Sequence, residues 1–445
     1  MLNYIWLGLI VLAVIIGGCT DKLKEVADKS FEMAKFAVLD TAFPLIGIMA
    51  LWLGIMRLAE RAGLVTMLAR ALRPVMRWLF TDVPPEHPAM GSMLLNIAAN
   101  MLGLGNAATP LGLRAMKDLE SLNPRPGTAT NAMCTFLAIN TSSVQLIPVT
   151  AIAILAANHS GNPTAIVGTS IIATTCAAIS AVMMAKILAR LPMFRLPSIP
   201  AFAPPLGDSR LSEEKVPIKE AAALKPLEWW GRLILSAFGI FFLLLFLRLA
   251  FPALLGHEPS LESTRQTVFV RIVDAISKLS IPFLLSFFPL YATLRSVKVY
   301  EDFVDGAKEG FDVAIRIVPY LVAILVAVGM FRAAGGIDLL SRALGPAMLA
   351  IGFPPDLLPL ALMRPLSGSG ALGVFTELVK NVGPDTLIAR TAGTVYGSTE
   401  TTFYVLAVYF GSAGIKRTRY ALLAGLTADF VGVVASLVIC RWVFG

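Results

Sequence analysis

Apolar runs of about 18 or more residues recur along this chain, and each is long enough to cross a hydrocarbon core of roughly 30 Å at about 1.5 Å per residue. Inside lipid a backbone amide must find its partner within its own segment, so such runs fold as helices. Hydropathy reading gives roughly nine to eleven membrane segments, the range arising because several runs are interrupted by polar residues. Charge usage agrees: 15% of the residues are charged, against roughly 25% in an average soluble domain. The expected class is an all-α polytopic membrane protein.

The interruptions carry the functional signal. Leu102-Gly-Leu-Gly-Asn-Ala-Ala-Thr-Pro110 places glycines and an amide between apolar flanks, and Leu366-Ser-Gly-Ser-Gly-Ala-Leu-Gly373 does the same far downstream. Each is followed by a second interrupted run, Asn140-Thr-Ser-Ser143 with Gln145 and Pro148 in one case, Ser398-Thr-Glu-Thr-Thr402 in the other. Proline removes a backbone donor and clashes with the preceding turn, so a break or kink is expected near residue 148. Asn96, Asn100, Asn106 and Thr109 cannot face lipid as part of one straight helix, and must face protein or water.

Taken in order, residues 5–19 are apolar and end in Ile-Gly-Gly-Cys, which resembles a lipoprotein processing site. The start lacks the basic residues of a signal peptide, so an uncleaved first transmembrane helix is expected. Residues 21–35 read as an amphipathic connector and 57–80 as an amphipathic helix with its arginines toward headgroups. Residues 191–226, rich in proline and mixed charge, form a polar linker between a half at 1–190 and a half at 227–445. The basic residues around that linker make it the safest cytoplasmic assignment, whereas charge counting elsewhere does not decide whether the halves are parallel or inverted.

The two halves repeat. Leu68-Ala-Arg-Ala-Leu-Arg-Pro-Val-Met76 is echoed by Leu340-Ser-Arg-Ala-Leu-Gly-Pro-Ala-Met348 at six of nine positions. The elements around each follow in the same order: span, amphipathic helix, glycine-rich interruption, hydroxyl-rich interruption, final span. Two homologous halves with a site at their interface are common in transporters.

These residues resemble a known family. Trp52-Leu-Gly-Ile-Met-Arg-Leu-Ala-Glu60, Pro84-Pro-Glu-His-Pro-Ala-Met-Gly91, Gly103-Leu-Gly-Asn-Ala-Ala-Thr-Pro-Leu-Gly112 and Phe136-Leu-Ala-Ile-Asn-Thr-Ser142 are similar to the spore maturation protein A family. Arg364-Pro-Leu-Ser-Gly-Ser-Gly370 and Tyr396-Gly-Ser-Thr-Glu-Thr-Thr402 are similar to the spore maturation protein B family. The resemblance covers nearly the whole chain, although here the two are fused. It implies the nucleoside-recognition or Gate group, shared with concentrative nucleoside transporters and the ferrous-iron transporter B membrane domain. It also implies a multi-pass protein of the bacterial cytoplasmic (inner) membrane with a transport role, and fixes no substrate.

The substrate site is expected at Asn100, Gly103, Gly105, Asn106, Thr109, Asn140, Thr141, Ser142, Ser143 and Gln145 of the first half. The second half is expected to supply Arg364, Ser367, Gly368, Ser369, Gly370, Ser398, Thr399, Glu400, Thr401 and Thr402. Glycine-flanked helix ends expose amides that hold polar or anionic groups, and unwound carbonyls suit a coupling ion, H+ or Na+. Each feature has a plainer explanation. Small residues also serve close helix packing, hydroxyls return bonds to their own helix, and Arg364 with Glu400 can be a structural ion pair.

Several classes are set aside. The net charge of +8 comes from short segments flanking apolar runs, where it orients a membrane protein, so nucleic acid is not an expected partner. The four cysteines show no paired spacing, the three histidines are scattered, and no nucleophile, base and orienting group stand together, so no enzyme, metal or cofactor is expected. Gly368-Ser-Gly-Ala-Leu-Gly373 matches a dinucleotide fingerprint only in letters, with no strand before it. The expected partners are the lipid bilayer and a small polar solute, nucleoside-like or carboxylate-bearing, and a homo-oligomer is left open. The alternative is a non-transporting membrane assembly or signalling factor built on the same fold.

Overall fold

The apolar runs are helical in a computed structural model of the chain. The structure describes residues 2–103, 105–194, 226–252, 267–336, 339, 342 and 352–445, with side chains for all of these except 2, 3, 5, 105–107, 313, 314, 316, 317 and 320. Most of the polar linker and of the Leu340 to Met348 echo, and the side chain expected of Asn106, lie outside the described residues.

The first half runs α1 (Leu2–Cys19), α2 (Leu23–Lys35), a π-helical turn (Phe36–Ala42), α3 (Phe43–Arg61), α4 (Leu64–Leu79), α5 (Pro88–Met101), α6 (Gly105–Ser121), α7 (Asn131–Thr141), α8 (Val149–Ala157) and α9 (Ile166–Arg190). The second half runs α10 (Trp229–Ala250), α11 (Val268–Leu294), α12 (Val299–Ala333), α13 (Leu358–Met363), α14 (Gly368–Val382), α15 (Leu387–Ser398), α16 (Thr402–Ser412) and α17 (Ala421–Phe444). The amphipathic connector is helical and leads without a stop into α3. The single amphipathic helix expected over 57–80 is divided instead. Gly63 takes the left-handed conformation at φ 81° and ends one helix before the next begins.

Among the described residues, four helices are long and apolar enough to cross a membrane by themselves: Leu23–Arg61, Pro163–Arg190, Trp229–Ala250 and Ala421–Phe444. Other expected segments come as shorter pieces, because a break after Met101, Thr141, Met363 and Ser398 splits them. α10 leaves Leu233, Phe241 and Leu243 exposed, a surface suited to hydrocarbon rather than water.

Two kinds of broken segment result. α5 and α6 are joined by three residues and pack side by side, so they form a helical hairpin, and α13 folds onto α14 in the same way. α7 and α8 do not pack side by side in this manner. α7 lies against α16 and α8 against α15, so the two broken helices meet at their breaks. The supporting helices reciprocate: α9 and α17 pack on each other, and each also packs on both α7 and α15.

Candidate functional site

A break in a membrane helix frees backbone donors and acceptors, which must be satisfied locally. At the first break Leu102 stays helical and Gly103 turns left-handed at φ 77°, where its amide donates to the Asn100 carbonyl at 2.9 Å. The Asn100 side-chain amide donates to Asn140 Oδ1 at 3.0 Å, tying this hairpin to the next broken helix. Tyr409 Oη of the second half donates to the same oxygen at 3.4 Å, and Asn96 Nδ2 donates to the Ala108 carbonyl and to Tyr409 Oη.

At the second break Ser143 holds a left-handed φ of 43°, unusual for a residue with a side chain. Pro148 lacks the amide that would continue the helix. The freed carbonyls of Ser142 and Ser143 both accept from Thr174 Oγ1 on α9, at 2.9 and 2.8 Å, and the Leu146 amide donates to the Met101 carbonyl at 3.0 Å. Thr141 and Ser142 return their hydroxyls to their own helix.

Arg364 organises the second half. Its side chain is 4% exposed, its Nη2 donates to the carbonyls of Tyr396 and Thr399, and its guanidinium stacks 4.5 Å from the Tyr396 ring centroid. The guanidinium thereby covers carbonyls freed where α15 ends in the extended Thr399. Glu400 Oε2 lies 3.8 Å from Arg364 Nη2 with its side chain 41% exposed, and that oxygen accepts from the Thr401 amide at 3.1 Å. Ser367 caps α14 by accepting from the Gly370 amide at 3.0 Å, and its Oγ lies 3.3 Å from Ser369 Oγ. Gly368 is packed so near the neighbouring break that a Cβ there would stand 3.1 Å from Thr401 Oγ1.

The halves are joined at these breaks. The Glu400 amide donates to the Thr141 carbonyl of the first half at 2.8 Å, and within the second half the Phe403 amide donates to the Pro365 carbonyl at 3.1 Å. Thr141, Arg364, Thr399, Glu400 and Thr401 therefore share one location, with Asn100 and Asn140 linked to each other. Gln145 and Thr109 are half-buried, and Ser398 bonds Ser436 on α17, one layer behind the crossing.

The expected list omits Asp429, a buried acid on α17 whose Oδ2 accepts from Thr402 Oγ1 at 2.6 Å. It is the lone acidic residue of that apolar span, and an ionisable group at membrane depth is itself a functional signal. Thr174 and Tyr409, which finish the second break and the Asn140 contacts, lack any such mark because hydroxyls are common in membrane helices.

Comparison with known proteins agrees with the resemblance in the sequence. A family model described as nucleoside recognition, named Gate, matches residues 42–158 and 314–416, which hold all four breaks. Spore maturation protein B of Bacillus subtilis (strain 168) is 48% identical over 176 residues, covering 40% of this chain and 99% of that protein. Spore maturation protein A of the same organism is 45% identical over 184 residues, covering 41% of this chain and 93% of that protein. The chain belongs to the spore maturation protein A/B family. Each relative is matched along nearly its whole length by about two-fifths of this chain, as a fusion of the two requires. No solved structure matches it. In this member of the spore maturation protein A/B family the meeting of the breaks joins a multi-pass membrane protein across its two halves.

Proposed function

We propose that this protein carries a small polar solute of nucleoside-like chemistry across the bacterial cytoplasmic membrane, at the place where the four breaks meet. The observation that carries this reading is the bond from the Glu400 amide to the Thr141 carbonyl, with the half-exposed Glu400 carboxylate beside it. Discontinuous helices that converge between repeats are the usual setting of a transporter's solute site. The matched family model, described as nucleoside recognition, supports the same class.

The local chemistry favours a neutral solute with hydrogen-bond donors over a carboxylate-bearing one. Arg364 gives its Nη2 to the Tyr396 and Thr399 carbonyls, while Glu400 is the more exposed charge and can accept further bonds. H+ or Na+ is the coupling ion that suits such a site. Purified protein in liposomes preloaded with unlabelled nucleosides should accumulate labelled nucleoside by counterflow. Glu400→Gln should lower that rate by about tenfold or more, as loss of a charged hydrogen bond implies. A membrane factor that only assembles with partners gives no counterflow with any solute, and that outcome would replace the transport reading.

A further inference from the structure

We propose that Asp429 is a proton-binding site, holding one proton that leaves when solute engages Glu400. The coupling half of this proposal rests on the transport reading above; the proton site does not. Asp429 is 4% exposed, and its Oδ1 has no hydrogen-bond partner among the described residues while its Oδ2 is held by Thr402. One turn earlier, a Cβ on Gly425 would stand 3.2 Å from Thr402 Oγ1 and 3.3 Å from Thr141 Oγ1. The carboxyl group thus lies beside the breaks of both halves. It also lies beyond residue 416, where the matched family model ends.

The charges around it do not balance if every acid is ionised. Arg364 and Glu400 are the charged groups that act on Asp429. Arg390 of α15 faces the far end of α17, over the Phe444 ring, while around Gly425 and Gly432, one turn to either side of Asp429, the neighbouring helices present small or hydroxyl groups. These are Thr141 from α7, Ala177 from α9, Ser398 and Thr399 from α15, and Thr402 from α16. α11 meets α17 near its far end, where Phe269 stacks on Trp442. One guanidinium therefore serves two carboxylates, and among the described residues its ion pair within 4.0 Å is with Glu400.

An uncompensated carboxylate in a membrane interior is costly, and the cheapest remedy is to bind a proton. Asp429 takes up H+ and becomes a neutral acid, whose Oδ1 can carry that proton while Oδ2 still accepts from Thr402. A solute that donates hydrogen bonds to Glu400 disperses that carboxylate's charge. Arg364 is then left to favour ionised Asp429, and the same proton is released to water.

Infrared difference spectroscopy of the full chain in lipid, titrated with acid and base alone, reads the protonated carboxyl carbonyl stretch. Wild-type protein should show that band near neutral pH. It should be lost in Asp429→Asn, kept in Glu400→Gln, and shifted in Thr402→Val, which removes the hydroxyl donor. No band, a band kept in Asp429→Asn, or an unshifted band in Thr402→Val overturns the proton site. If the band behaves as described but no solute shows counterflow, the proton site stands and the transport reading fails.

Discussion

The amide of Glu400 donates to the carbonyl of Thr141 at 2.8 Å, so a break in one half is completed by a break in the other. Neither half satisfies its own chain there, which means that the crossing assembles only when both are in place. A rearrangement at one break therefore bears on the other.

Close approach at the crossing depends on glycine. A Cβ on Gly397 would stand 2.4 Å from Pro148 Cβ and 3.1 Å from Ser170 Oγ, and one on Gly432 would stand 2.5 Å from Thr399 Cγ2. Gly397→Leu and Gly432→Val should each destabilise the protein by about 1–3 kcal/mol, the usual range for overpacking. Thermal unfolding in detergent checks this: Gly397→Leu as stable as wild type would show that α15 does not meet Pro148 as described, and Gly432→Val as stable as wild type would show the same of α17 and Thr399.

Arg364 is expected to act first as a cover for carbonyls. Arg364→Lys keeps the charge but loses the planar fork that reaches Tyr396 and Thr399 and stacks on the Tyr396 ring. Leaving one of those carbonyls unpaired should cost about 1–3 kcal/mol of stability. Should the variant unfold at the wild-type temperature while binding solute more weakly, Arg364 is an anion ligand instead.

A second tie between the halves lies outside the membrane segments. Ser160 Oγ donates to Asp385 Oδ1 at 2.7 Å, and the Gly161 amide donates to Oδ2 at 2.9 Å. The Ser160 bond, the largest effect, holds the carboxyl below its ordinary value against the opposing effect of burial, with smaller help from the Gly161 amide and Arg390. A carboxyl with a lowered folded value adds stability above its unfolded value and loses it as pH falls through the folded one. The melting-temperature difference between wild type and Asp385→Ala should therefore persist at neutral pH and shrink as pH falls below about 4. A difference that does not change with pH would show that the charge of Asp385 is not involved.

The class of fold and the positions of the breaks were legible because lipid leaves the backbone few options. Gly103, Pro148 and the amides of Asn100 and Asn140 mark places where one straight lipid-facing span would be broken or would leave polar groups in hydrocarbon. Which breaks touch was not legible, since the bond between Glu400 and Thr141 joins positions far apart in sequence and uses backbone atoms that every residue has. Asp429 had a local signal as a lone acid in an apolar span, but its partner Thr402 sits in a different helix. Arg364 and Glu400 stood out as charges beside interruptions. That the guanidinium covers carbonyls depends on where α15 ends in space, which residue spacing does not encode.

If the meeting breaks bind a solute, that solute stabilises the purified protein against unfolding. A panel of nucleosides should contain one that stabilises the wild type, by roughly 2.7 kcal/mol at a hundred times its dissociation constant. That gain should largely vanish in Glu400→Gln. Stabilisation by no member of the panel, or an equal gain in Glu400→Gln, would contradict the account.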